Sequence, residues 1–98
     1  MIRVVLPHHL RILAKVGEEV GIEPNGSATV ASLLDALETT YPVLRGTIRD
    51  HGTLKRRPMV RFFACGDDIS HAPLENGLPT RILDGLEPFV IIGAIAGG

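Results

Sequence analysis

The chain has one cysteine, Cys65, so no internal disulfide framework can form, and a cytoplasmic setting is expected. Aromatic residues are scarce: three Phe, one Tyr and no Trp. None interleaves with the short basic run Lys55-Arg56-Arg57, which removes the usual signature of nucleic-acid recognition. That run reads as a solvated loop, with docking to an acidic partner as the sharper alternative. Net charge is only -1, so neither nucleic acid nor a membrane surface is expected to be held through global charge. No apolar run approaches the ~20 residues of a membrane span. The apolar part of Met1 to Pro7 is too short for a signal peptide.

Catalytic and metal-binding patterns are missing as well. His8 and His9 are adjacent and would point to opposite faces of an extended chain, while His51 and His71 fall in loops. No Cys/His spacing matches a zinc site, so no metal is expected. Ser70 and His71 have no partner at a defined spacing, so a hydrolase triad is not supported. Cys65 reads as a small buried residue rather than a nucleophile.

What is present fits one small domain with one core over 98 residues. Ile2 to Leu6 is β-rich and stops at Pro7, a first strand. His8 to Val16 carries Leu10, Leu13 and Ala14 at helical spacing and reads as a short turn over the core, broken by Gly17. Glu19 to Glu23 alternates polar and apolar, a second strand antiparallel to the first, before the turn cluster Pro24-Asn25-Gly26-Ser27. Val30, Leu33, Leu34, Leu37 and Tyr41 then form one apolar helical stripe, with Thr29 as N-cap and Asp35 and Glu38 toward water. Pro42 predicts an end near Thr39 or Thr40.

Residues 43–59 read as a polar loop with a turn of helix around Val43 to Ile48. Val60 to Ala64 is a third strand, and Cys65-Gly66-Asp67-Asp68 turns into a short strand around Ile69. Pro73 to Pro79 is loop, and Asp84-Gly85 is a further turn. Pro88 to Ile92 is the last strand, its four consecutive apolar residues predicting burial on both faces. A last strand parallel to the first requires a helical crossover. The expected class is therefore α+β, a β-grasp with a mixed sheet of four to five strands and one main helix.

After the last strand the sequence reads Gly93-Ala94-Ile95-Ala96-Gly97-Gly98. Glycine has no Cβ, so such a tail can thread a channel where side chains would clash. The helix Thr29 to Glu38 closed by Tyr41-Pro42, the turn Gly66-Asp67-Asp68-Ile69, and Asp84-Gly85-Leu86-Glu87 before the last strand and Ala96-Gly97-Gly98 together resemble the MoaD/ThiS family of sulfur carriers. Two features depart from that pattern: extra sequence between residues 43 and 59, and Gly93 where many relatives carry proline.

The resemblance implies a ubiquitin-like fold spanning residues 1–98 as a single domain with a flexible tail over 94–98. It implies that the Gly98 carboxylate is the reacting group, adenylated with ATP by a ubiquitin-activating-type (MoeB/ThiF-like) enzyme and converted to a thiocarboxylate. Gly97, Ala96 and Ile95 would enter the partner enzyme. A sulfur-accepting synthase subunit, for molybdopterin, a similar cofactor or cysteine, would take the sulfur. The chain would be a protein-borne substrate, not an enzyme, with no tightly bound cofactor, and would dock through an apolar patch near its last strand. Two other readings stay open: a ubiquitin-like modifier joined to lysines through Gly98, and a non-conjugating β-grasp interaction module.

Overall fold

A computed structural model describes residues 1–93. The elements run β1 (Ile2–Val5), α1 (His8–Ala14), β2 (Glu19–Ile22), α2 (Val30–Thr40), a 3-10 turn (Pro42–Leu44), β3 (Val60–Ala64), β4 (Asp67–Asp68), α3 (Thr80–Leu83) and β5 (Phe89–Gly93). Alternation sets the register of the first pair. Ile2 lies opposite Ile22 and Val4 opposite Val20, so both strands turn the same buried face to the core. β5 pairs parallel to β1 and antiparallel to β3, giving the sheet order β2-β1-β5-β3-β4. This is the α+β, β-grasp arrangement, with five strands.

α2 covers the buried face. Its start is fixed by a reciprocal cap: Thr29 Oγ1 accepts from the Ser32 N–H at 3.0 Å, and Ser32 Oγ accepts from the Thr29 N–H at 2.9 Å. Such a cap contributes about 1 kcal/mol. Its end at Thr40 follows from Pro42, which keeps Tyr41 out of helical geometry, at φ -126° and ψ 78°. Leu33, Leu34 and Leu37 are fully buried, each contributing roughly 1.5–3 kcal/mol by leaving water. The Phe62 and Phe89 rings, 5.4 Å apart, join β3 to β5 beneath them.

Four expectations are corrected. Lys15, not Gly17, takes the left-handed position that ends α1, at φ 59°, with its N–H donating to the Arg11 and Ile12 carbonyls. Glu38 does not face water. It is buried, because Arg49 from the 43–59 segment reaches it with Nε and Nη2 at 2.9 and 3.0 Å. That segment is anchored rather than merely polar, since Leu44 and Ile48 are also fully buried. β5 is buried on one face only: Phe89 and Ile91 point inward, whereas Ile92 is 48% exposed, because among the described residues no helix covers the other side of the sheet. The one-turn helix α3 after Pro79 fills residues 80–83, between the expected loop and the Asp84-Gly85 turn.

Candidate functional site

The predicted reacting residues Gly98, Gly97, Ala96 and Ile95 lie outside the described residues, as does the tail over 94–98. The described part of the site is the end of β5 from which they continue. β5 is the central strand, held on both sides by register partners: Val5 opposite Val90 in β1, and Val60 opposite Gly93 in β3. β1 leaves the sheet at Leu6 and Pro7, so on that side the last residues of β5 face the start of α1 instead of a strand. Arg11 Nε donates to the Leu6 carbonyl at 2.6 Å and ties α1 to that corner.

The corner is closed tightly around Gly93. A β-carbon there would lie 3.0 Å from His9 Cε1 and 3.5 Å from Pro7 Cγ. The missing side chain is what lets His9 and Pro7 stand against the strand end. Two concavities meet at this point. One, of about 500 Å³, is walled by Leu10 and Leu13 of α1 and by Thr47, Arg57 and Met59 of the 43–59 segment. The other, of about 340 Å³, is lined by Pro7, His8, Arg11 and Ile92. His9 and Gly93 border both.

The open sheet face begins beside this corner. Val5, Val90 and Phe63 are register partners across three strands and form an apolar strip continued by Ile92. Arg61, opposite Ile92, edges the strip, and its guanidinium stands 3.6 Å from Asp68 Oδ2 and 3.3 Å from His71 Nε2. The Asp68 carboxyl is held below its ordinary range, first by Ser70 through its side chain and backbone N–H. An apolar patch near the last strand is among the expectations above, and the outward residues Val90 and Ile92 of β5 with Phe63 of β3 form one.

Other candidate residues take structural parts. Cys65 sits at φ 53° in the β3–β4 turn, half-buried. Burial pushes its thiol pKa up, and the Glu87 carboxylate adds to the rise, which disfavours the thiolate a nucleophile needs. The basic run divides by role. Arg56 donates to the Ser70 and Val60 carbonyls at 2.8 and 2.6 Å, Arg57 to the Gly46 carbonyl at 2.9 Å, and Lys55 is exposed. His8 and His9 are exposed in the first turn of α1 rather than on an extended chain, and His51 and His71 lie in loops. Among the described residues no three His, Cys, Asp or Glu cluster as metal ligands, and no helix is long and apolar enough to cross a membrane.

Sequence reasoning missed the Arg49–Glu38–Asp35 cluster, with Arg49 Nη2 also 2.8 Å from Asp35 Oδ1. At about 100° per residue Glu38 falls beside Leu34 at the margin of the apolar stripe, the one available signal. Burial lowers the Arg49 pKa, but its hydrogen bonds to Glu38 and then Asp35 outweigh it, so the guanidinium stays charged. The cluster fixes the 43–59 segment against α2 and so holds the second wall of the larger groove in place.

No protein-family model matches the sequence, and no characterised protein matches it by sequence. Solved structures do match in fold. The BexX/CysO complex of Amycolatopsis orientalis contains a chain that superposes with a TM-score of 0.76 at 21% identity, covering 100% of both chains. SAMP1 of Haloferax volcanii gives 0.70 at 19% identity, over 98% of this chain and 97% of that one. Mycobacterium tuberculosis CysO gives 0.70 at 15% identity, over 97% and 100%. The β-grasp fold implied by the MoaD/ThiS resemblance is thus the fold of CysO and of the small archaeal modifier SAMP1.

Proposed function

We propose that this chain is a sulfur carrier whose Gly98 carboxyl is activated and loaded by a partner enzyme. The observation that carries this reading is a β-grasp shared end to end with CysO, in which the rigid central strand β5 leads directly into Ala94-Ile95-Ala96-Gly97-Gly98. Five extended residues reach on the order of 17 Å, at ~3.3–3.6 Å each, so the folded body can stay outside a buried active site.

The chemistry asks little of the carrier. A terminal carboxyl, with an ordinary pKa of roughly 3.3–3.7, is ionised at neutral pH. One of its oxygens attacks the α-phosphorus of ATP and pyrophosphate leaves. The terminal sulfur of a persulfide donor then attacks the acyl carbon and AMP leaves; a thiol cleaves the resulting acyl disulfide, forming a disulfide with the donor and releasing the thiocarboxylate. The adenylating enzyme supplies magnesium and positive charge for the phosphates. The chain itself acts as a protein-borne substrate in the cytoplasm. It passes sulfur to an acceptor subunit serving cofactor or cysteine assembly, and Gly97 and Gly98 leave the reacting carbon unshielded.

The likeness to SAMP1, a small archaeal modifier protein, favours a second reading, in which the same activated Gly98 joins target lysines. Both readings begin with adenylation. ATP–pyrophosphate exchange by a ubiquitin-activating-type enzyme should depend on this chain and cease when Gly97 and Gly98 are deleted. Exchange that survives the deletion contradicts both readings. Higher-mass conjugates in lysate that vanish with the same deletion select the modifier.

A further inference from the structure

A third cleft, of about 290 Å³, lies between α2 and a small hairpin within the 43–59 segment. The hairpin is closed by the antiparallel bridge of Arg49 with Arg56 and by the Asp50 N–H, which donates to the Lys55 carbonyl at 2.7 Å. Asp35 and Thr39 of α2 form one wall, and Arg45, His51 and Leu54 form the other. The buried Arg49 and Glu38 lie at the floor. None of these residues lines the two concavities beside Gly93.

Arg49 is only 3% exposed, yet its hydrogen bonds use Nε and Nη2 alone, both to Glu38 and the second also to Asp35. Nη1 makes no hydrogen bond among the described residues. No side-chain nitrogen or oxygen among those residues is buried without a partner, so Nη1 must reach solvent, and this cleft is the opening that Arg49 lines. It is a fixed cationic donor with two unused N–H groups. Arg45 lines the same cleft and makes no ion pair among the described residues.

Asp35 supplies the opposite charge. Its Oδ1 stands 2.8 Å from Arg49 Nη2, while its Oδ2 accepts nothing among the described residues. Glu38 has both oxygens engaged by Arg49. Leu54 supplies an apolar surface. It is 47% exposed and held at φ 60°, a left-handed conformation that leucine rarely takes. Its N–H donates to the Asp50 carbonyl at 2.8 Å. Glycine would make that turn without strain, and the leucine side chain packs into no part of the core.

We propose that this cleft binds a free α-amino acid with an apolar side chain. An anionic and a cationic group held side by side match a molecule that carries an ammonium and a carboxylate on one carbon. The carboxylate accepts from Arg49 Nη1 and Arg45, the ammonium donates to Asp35 Oδ2, and the side chain lies on Leu54. A peptide end carries only one of the two charges and leaves the other group without a partner. An inorganic anion meets like charge at Asp35. The site stands apart from the carrier reading, since it needs nothing from Gly98.

The test titrates L-leucine, L-valine and L-methionine into the isotope-labelled chain and follows backbone amide shifts by NMR, with thermal unfolding alongside. Saturable shifts are expected at Asp35, Thr39, Arg49, His51 and Leu54, with a Kd on the order of 1 mM for the best of the three. Tm should rise with that amino acid. N-acetyl-L-leucine lacks the ammonium and L-leucinamide lacks the carboxylate, and each should bind about tenfold more weakly than L-leucine. Asp35→Asn and Arg45→Gln should each weaken binding about tenfold, and the exposed Arg45 decides alone if Asp35→Asn disturbs α2. Leu54→Gly relieves the left-handed leucine, so the chain should be at least as stable, yet its preference for leucine over glycine should vanish. That split is not expected of a merely structural residue. Lys15→Gln and Asp84→Asn, outside the cleft, should bind as the wild type does.

No saturable shift at these residues with any of the three amino acids overturns the inference. So does N-acetyl-L-leucine or L-leucinamide binding as tightly as L-leucine, which makes the cleft a plain charged patch. Inorganic phosphate binding there as tightly makes it an anion site, and glycine binding the wild type as tightly as leucine removes Leu54 from the account; either result overturns the proposal. Shifts that survive Arg45→Gln undiminished also overturn it. Each outcome leaves the carrier reading standing, because none of these measurements charges Gly98.

Discussion

His9 stands where a side chain on Gly93 would need to be, with its Cε1 3.0 Å from the ideal β-carbon position. The contact joins the start of α1 to the last residue of the central strand, at the point from which the tail continues. Gly93 is not among the residues with positive φ, so alanine is permitted by the backbone, and the exposed His9 ring has room to swing aside. Gly93→Ala is expected to change stability by less than about 1 kcal/mol in urea denaturation. Its signature is instead a shift of the His9 ring resonances in NMR spectra, absent from a remote glycine substitution such as Gly77→Ala. A loss above about 2 kcal/mol, in the range typical of core damage, would show that the corner cannot relax.

The Arg49–Glu38 pair predicts an asymmetry. Arg49→Met leaves the Glu38 carboxylate buried without its cation and should cost about 3–5 kcal/mol. Arg49→Met combined with Glu38→Leu should recover most of that loss, because no charge then remains stranded. Asp35→Ala should cost less than about 1 kcal/mol, since that carboxylate is 64% exposed and screened by water. Equal costs for Asp35→Ala and Arg49→Met, measured by urea denaturation, would contradict the burial of Glu38.

Acid should destabilise the fold. The Glu19 carboxyl is held low by its hydrogen bond from Arg3, Asp50 by the backbone N–H of Thr53 and then Gly52, and Asp68 by Ser70. Each folded-state pKa lies below its unfolded value. The associated stability is therefore complete above the unfolded pKa of about 4 and is lost as pH falls through the folded pKa. Tm should stay level from about pH 7 to about pH 5 and decline below about pH 4. Asp50→Asn should make that decline shallower. A Tm that rises on acidification would reverse the sign and refute the assignment.

Local rules made much of the fold legible. The period of Val30, Leu33, Leu34 and Leu37, the cap at Thr29 and the stop at Pro42 located α2 to within a residue. Gly66 and Gly85, expected to serve turns, have φ of 82° and 75°. Features that depend on distant partners were not legible. Nothing near Glu38 in sequence announces Arg49, which comes from an aperiodic segment. The four residues of α3 are too few for a helical period to register. The apolar run of β5 could not reveal that, among the described residues, one face of the sheet lacks a covering layer. For the site, the sequence supplied the tail and an apolar patch near the last strand. It did not supply the corner at Gly93, because α1 and the 43–59 segment meet only in the folded chain.

The most direct test of the carrier reading is the intact mass of the chain after incubation with its adenylating enzyme, ATP and a sulfur donor. The account predicts a gain equal to the mass difference between sulfur and oxygen. Fragment spectra should assign that gain to Gly98, and a chain lacking Gly97 and Gly98 should show none. An unchanged mass with an enzyme that demonstrably adenylates the chain, or a gain located at Cys65 instead, would contradict it.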